Sequence, residues 1–97
     1  MIIVLGSIIV KEGCVEKALK ISQQHVNRSR GEPGCIAHDV HIDSENSQRL
    51  VFVEKWSDQA SLTQHFKEAT SISFVNKIKE VVTNQPEMAV YDATQLP

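Results

Sequence analysis

Apolar residues alternate with period two in some stretches of the chain and recur at helical spacing in others, and the switches mark its elements. Ile2 to Val10 is β-branched and apolar on both alternating sets. Ile2, Val4, Ile8 and Val10 share one face; Ile3, Leu5 and Ile9 share the other. Such a strand must be covered on both sides. Gly6 and Ser7 interrupt it, which predicts a bulge or a close approach by another segment. After Gly13 the rhythm becomes helical through Val15, Ala18, Leu19, Ser22 and Val26, with Lys17, Lys20, Gln23, Gln24 and Arg28 on the polar side. This helix should end near Arg30, with Gly31 available as a left-handed cap. Pro33 and Gly34 suit the central positions of a type II turn.

A strand then runs from Cys35 to Asp43, with Ile36, His38, Val40 and Ile42 on one face. A polar connection of about five residues, SENSQ, leads into a second strand, Arg49 to Trp56, and the two form an antiparallel hairpin. Ser57 or Asp58 can cap a helix running to about Ala69, whose stripe is Leu62, Phe66 and Ala69 with His65 seated within it. Phe74, Val75, Ile78, Val81 and Val82 predict a further helix over 71–82, which Asn84 and Pro86 stop. Met88 to Ala93 is a short last strand. The order β-α-β-β-α(α)-β predicts an α+β, ferredoxin-like split βαβ fold with an antiparallel sheet. Its helices cover one face only. Because the first and third strands are apolar on both faces, a homodimer packed through the sheet faces is expected.

Composition narrows the classes. With 97 residues, 41% hydrophobic and 23% charged, the chain is expected to form a single domain over 1–97. A net charge of −2 with scattered basic residues gives no nucleic-acid footprint to point to, and no nucleic-acid partner is expected. The apolar start lacks the flanks of a signal peptide and is far shorter than the roughly 20 residues of a spanning helix. No membrane partner is expected and a cytoplasmic location is. Cys14 and Cys35, without a CxxC, read as free thiols.

The candidate chemistry gathers around VFVEKWSDQASLTQHF. Leu50, Phe52, Glu54 and Trp56 alternate onto one face, so Glu54 and Trp56 point the same way. Glu54 is either a structural ion-pair partner or a carboxyl on a pocket wall. His65, between Leu62 and Phe66, is either a satisfied core residue or a titratable group beside aromatic stacking partners. Phe74 on the next helical segment joins the candidate pocket. Arg30 is a solvated helix end or a cation near the pocket mouth. His38 and His41 are three apart in a strand, face opposite sides, and are no metal pair. His25 reads as a helix-flank residue. No convergent metal-ligand set is visible, so no metal is expected.

The stretches SRGEPGCIAHDVHID and RLVFVEKWSDQASLTQHF resemble the antibiotic biosynthesis monooxygenase (ABM) family, which includes small quinol monooxygenases. The resemblance implies a dimeric α/β barrel with a pocket between sheet and helices in each subunit. It implies oxygenation of a small phenolic or quinol-like substrate by O₂ with no cofactor: no metal, flavin or haem. The matching positions are Arg30, Glu54, Trp56 and His65. His65, Glu54 and Trp56 are the expected catalytic residues; Arg30, His38, Phe52, Phe66 and Phe74 are the expected substrate contacts. His38 stands where many members carry tyrosine. A haem-degrading branch uses a first-strand asparagine, a tryptophan in the helix after the E-x-W strand and a later histidine. Here those places hold Gly6-Ser7, His65 and the region near Val75. A non-catalytic ligand-binding module and an isomerase of small hydroxyketones are the competing readings.

Overall fold

A computed structural model describes residues 1–97. The elements are β1 (Ile2–Ile9), α1 (Val15–Ser29), β2 (Cys35–Asp43), β3 (Asn46–Trp56), α2 (Gln59–Lys67), α3 (Ala69–Ile78) and β4 (Glu87–Asp92). The sheet order is β2-β3-β1-β4, antiparallel throughout. This is the ferredoxin-like α+β arrangement that the element order predicts. No helix is long and apolar enough to cross a membrane, and Cys14 and Cys35 are free.

Cross-strand register aligns the site. Val4 stands opposite Glu54 and Gly6 opposite Phe52 on β1–β3, while His38 stands opposite Glu54 on β2–β3. Side chains directly opposite on one face are neighbours, so three strands deliver one row of residues to the helix side. Gly6 makes no bulge, because the β1 register runs unbroken through it. A Cβ there would lie 3.5 Å from the Glu87 carbonyl and 3.8 Å from Phe52 Cβ. Glycine thus leaves a shallow place in the floor of the sheet, not a kink.

Several boundaries differ from the sequence pattern, each for a local reason. The β2–β3 connection is shorter than five residues: Asp43 pairs with Asn46, and only Ser44 and Glu45 turn. Asp43 Oδ1 accepts the Glu45 N–H and Asn46 Oδ1 accepts the Gln48 N–H, at 2.9 and 3.0 Å. These Asx-type bonds let polar residues close a tight turn. A register shift between Cys35 and Ala37 displaces Ile36, which is 57% exposed rather than on the His38 face. Gly31 is not left-handed; only Gly13 and Gly34 have positive φ. Instead the Arg30 and Gly31 N–H groups bond back to Val26 and Arg28, ending α1 in tight turns. Glu68, with ψ 137°, separates α2 from α3. α3 stops at Ile78, because Val81 and Val82 turn to meet the end of β1: Val82 bridges Val10, and the Lys11 N–H bonds to the Val81 carbonyl.

The helix-side core is divided. Ile8, Val10, Ala18, Leu50, Phe52, Ile78 and Val81 form one apolar cluster; Ile2, Val4, Trp56 and Leu62 form another. The buried polar groups His25, His38, Glu54, His65 and Ser71 belong to neither cluster. Burying such groups costs free energy that an aliphatic core would avoid. The opposite sheet face carries no helix. Ile3, Ile9, Val51 and Val53 are half-buried there, and Leu5 and Tyr91 are exposed.

The Pro33–Gly34 turn fastens the site to its scaffold. Cys35 N–H bonds to the Glu32 carbonyl at 3.2 Å, and Gly34 has φ +83°. Its carbonyl accepts the Ser57 N–H, and a Cβ at residue 34 would run into Ser61 on α2. Asp58 caps α2 through the Ser61 N–H at 2.8 Å. Gly34→Ala therefore combines left-handed backbone strain with overpacking, and is expected to cost about 2–4 kcal/mol. A lower urea midpoint at unchanged slope would show it; a loss below about 0.5 kcal/mol would contradict this role for the turn.

Candidate functional site

The buried polar groups converge because each element presents one of them to the same volume. α1 buries Ala18, Ser22, His25 and Ser29, spaced four, three and four residues apart. Ser29 bonds its own helix, donating from Oγ to the His25 carbonyl at 2.7 Å. His38 comes from β2, Glu54 from β3, His65 from α2, and Ser71 and Phe74 from α3. The imidazole centroids of His25, His38 and His65 are 5.4, 5.2 and 5.6 Å apart. His25 lies flat on Phe74, with centroids 4.1 Å apart and planes 6° apart.

These side chains wall a cavity of about 560 Å³ between sheet, α3 and the segment leading into β4. Val4, Gly6 and Phe52 form its floor, with His25, His38, Glu54 and His65 at one end. Phe66, Phe74, Met88 and the polar run Thr83–Gln85 line the remainder. The size suits a small organic molecule, and a few polar groups in an apolar wall would orient it.

Two carboxylates serve the histidines. His65 Nδ1 lies 2.8 Å from Glu32 Oε1. A carboxylate only accepts, so Nδ1 carries a proton, and the neutral ring would have its lone pair on Nε2. Ser71 Oγ is a longer contact, 3.5 Å from the same nitrogen. Glu54 Oε1 accepts the Trp56 indole N–H at 3.0 Å. It lies 3.3 Å from His38 Nε2, but without the alignment a hydrogen bond requires, so both His38 nitrogens are buried and unpartnered. Burial alone would raise the Glu54 carboxyl pKa; His38 and the Trp56 N–H outweigh it and hold the group below its ordinary value. Burial, then the charges His38 and His65 can carry, lowers His25 from 6.5 to about 3, keeping it neutral.

Of the residues singled out in the sequence, Glu54, His65, His38, Phe52, Phe66 and Phe74 line the cavity together. Trp56 and Arg30 do not. Trp56 is fully buried behind the wall, with its ring 4.7 Å from that of His65. Arg30 sits outside, bonded through Nε to the His38 carbonyl and through its terminal nitrogen to Asp39 at 2.9 Å. Glu32 and His25 are additions. Glu32 lies in the EPGC turn of a matching stretch, but nothing in the sequence marks it as the partner of a histidine 33 positions later. His25 carried a signal: small or polar residues recur with it at helical spacing, on a stripe that would otherwise be aliphatic.

Fold and site define a class, small ferredoxin-like α+β proteins with an aromatic and imidazole-walled cavity between sheet and helices. The sequence model described as "Antibiotic biosynthesis monooxygenase" (ABM) matches residues 1–77, and the chain belongs to that family. It is 32% identical to the uncharacterised Synechocystis protein sll1783 over 90 residues, 93% of this chain and 61% of that protein. The chain thus spans about three-fifths of the length of that relative. It is also 32% identical to Bacillus subtilis YcnE, whose name assigns it provisionally to the monooxygenases, over 86% of this chain and 87% of that one. The crystal structure of an antibiotic biosynthesis monooxygenase superposes with a TM-score of 0.90 at 25% identity, covering 98% of this chain and 100% of that chain. A conserved Methanosarcina mazei protein superposes with a TM-score of 0.91, also at 25% identity, over 96% and 92% of the two chains.

Proposed function

We propose that this chain is a cofactor-independent monooxygenase acting on a quinol or electron-rich phenol, with His65 as the base. The observation that carries the reading is His65 on the cavity wall, held through Nδ1 by Glu32, which lies outside the cavity. This geometry leaves Nε2 free to take a phenolic proton, and the Glu32 carboxylate stabilises the imidazolium that forms. The phenolate donates one electron to O₂ far more readily than the phenol does. Recombination of substrate radical and superoxide gives a hydroperoxide, which loses water to form a carbonyl. For a dihydroxybenzene with a free ring position the sum is C₆H₆O₂ + O₂ → C₆H₄O₃ + H₂O. The substrate supplies all four electrons, so no further reductant enters.

The protein's work is positioning and exclusion of water. Phe52, Phe66 and Phe74 provide flat apolar contacts for the ring. Trp56 acts from behind, backing His65 and holding Glu54. Glu32, not Glu54, orients the base. Arg30 does not line the cavity and is bonded to the His38 carbonyl and Asp39, so it has no part in this reading.

The test is oxygen uptake in chelator-treated buffer with a panel of reduced quinols. Wild type should consume one O₂ per quinol above background, and His65→Ala should lose about 10²–10⁴-fold. Equal background rates for the two proteins would sink the oxygenase. Ligand-induced thermal stabilisation without turnover would assign a binding module instead.

The same reading includes a homodimer through the helix-free sheet face. Support comes from the apolar residues Ile3, Leu5, Ile9, Val51 and Val53 on that face, more than a lone surface normally presents together. Sedimentation should give twice the chain mass. The chain mass at all concentrations would remove the dimer.

A further inference from the structure

We propose that His25, His38 and His65 form a binding site for one zinc-class divalent transition-metal ion, opening onto the cavity. Three elements, α1, β2 and α2, each contribute one imidazole. One donor nitrogen from each lies within 4.8 Å of the others, and all three side chains are at least nine-tenths buried. In a tetrahedral site with metal–nitrogen bonds of about 2.0–2.1 Å, imidazole centroids stand about 5.3 Å apart and the nitrogens about 3.4 Å apart. The observed centroids, at 5.2 to 5.6 Å, already have that spacing. The donor nitrogens, within 4.8 Å of one another, have to close to that tetrahedral spacing when an ion binds.

Two further observations point to a ligand. Both nitrogens of His38 are buried and lack an aligned hydrogen-bond partner, Nε2 having only the 3.3 Å contact with Glu54 Oε1, and burying polar groups so is costly. A metal bond would relieve one of them. His65 already has the outer partner that metal-bound histidines use: Nδ1–H donates to Glu32, which leaves Nε2 as the metal donor. Phe74 holds the plane of His25 by stacking. Glu54, beside His38, supplies a negative charge that offsets the ion.

Imidazole donors suit zinc, cobalt, nickel and copper and disfavour magnesium and calcium, which prefer oxygen. Three protein ligands leave a position open, and the cavity supplies the space for water or an organic oxygen there. An ion bound in this way would occupy the lone pair of His65 that the proposed oxygenation uses. Metal binding would then switch the proton transfer off, a consequence that rests on the oxygenase reading. The site itself does not rest on it.

The experiment is therefore a binding measurement without substrate. Chelator-treated full-length protein is titrated with zinc by calorimetry and with cobalt by visible absorption. The expected result is one ion per chain, with cobalt d–d bands of a nitrogen-rich, four- or five-coordinate site. His25→Ala should weaken binding at least 100-fold. Glu32→Gln, which keeps all three imidazoles, should weaken it about 10–100-fold. His41→Ala, on the exposed face of β2, should leave it unchanged. If His25→Ala fails to fold by circular dichroism, Glu32→Gln decides. Absence of cobalt bands at millimolar metal would overturn the site, as would equal affinity in wild type and the decisive variant. Failure of the wild-type protein to bind zinc or cobalt would overturn the metal site and leave the oxygenase reading standing, so the two readings fail separately.

Discussion

Trp56→Ala is expected to lower the stability of this protein by about 3–5 kcal/mol, the range for removing a fully buried aromatic side chain. Trp56 has no exposed surface and closes the cluster of Ile2, Val4 and Leu62 at one end of the sheet. Part of the loss is a cavity that neighbours on a sheet cannot collapse to fill. Part is electrostatic, because the indole N–H is donated to Glu54 inside the protein. Leaving that carboxylate without its donor costs about 1.5–3 kcal/mol by the scale for bonds to charged groups. Trp56→Phe separates the two terms: it keeps most of the apolar volume and removes the N–H. A domain of this size has about 5–15 kcal/mol in total and loses about 4–8 °C of melting temperature per kcal/mol. The alanine variant should melt at least about 12 °C below wild type. A shift under about 4 °C would mean that Trp56 is not the support of this end of the core. The functional effect follows from packing, since His65 rests against the same ring.

Acid is expected to unfold the protein through His25. Its pKa falls from 6.5 to about 3 in the fold, because burial and the charges His38 and His65 can carry oppose protonation. Glu54 pulls the other way, and Arg28 adds to the lowering. Between pH 6.5 and 3 the unfolded chain therefore binds a proton that the folded chain refuses. Stability from this group is complete above about pH 6.5 and declines as pH falls toward 3, by up to about 1.4 kcal/mol per pH unit. Glu54, held below its ordinary value, adds a loss of the same sign once pH falls below the unfolded carboxyl value near 4.5. His25→Phe keeps a flat ring against Phe74 and cannot be protonated. In chelator-treated buffer, urea midpoints from pH 7 to 4.5 should fall steeply for wild type and much less for this variant. Parallel curves would remove His25 as the acid-labile group.

The features that could be read along the chain are those set by near neighbours. Alternation placed Glu54 and Trp56 on one face of β3, and the cross-strand register agrees. Pro33–Gly34 specified its turn because few residues satisfy its dihedral angles. Asp58 specified a helix start because a short side chain can reach the third N–H beyond it. Ile36 and the end of α3 misled for a shared reason. A bulge and a β-bridge depend on a partner strand that periodicity does not contain.

The site divides along the same line. His65 and His38 were identifiable as imidazoles among aliphatic residues, but their companions were not. His25 sits on a helix whose rotation is set by packing on the sheet, so a residue at the flank of the apolar stripe became the centre of the cluster. Glu32 meets His65 because the Gly34 turn is pressed against the first turn of α2. Trp56 lies behind the cavity and Arg30 outside it, although both belong to matching stretches of sequence. Backbone dihedral preference and side-chain period act over a few residues, and so element order, caps and strand faces follow from composition in place. Convergence acts over tens of residues. It depends on which helix face meets the sheet and in what register the strands pair, and only the packed chain settles those together.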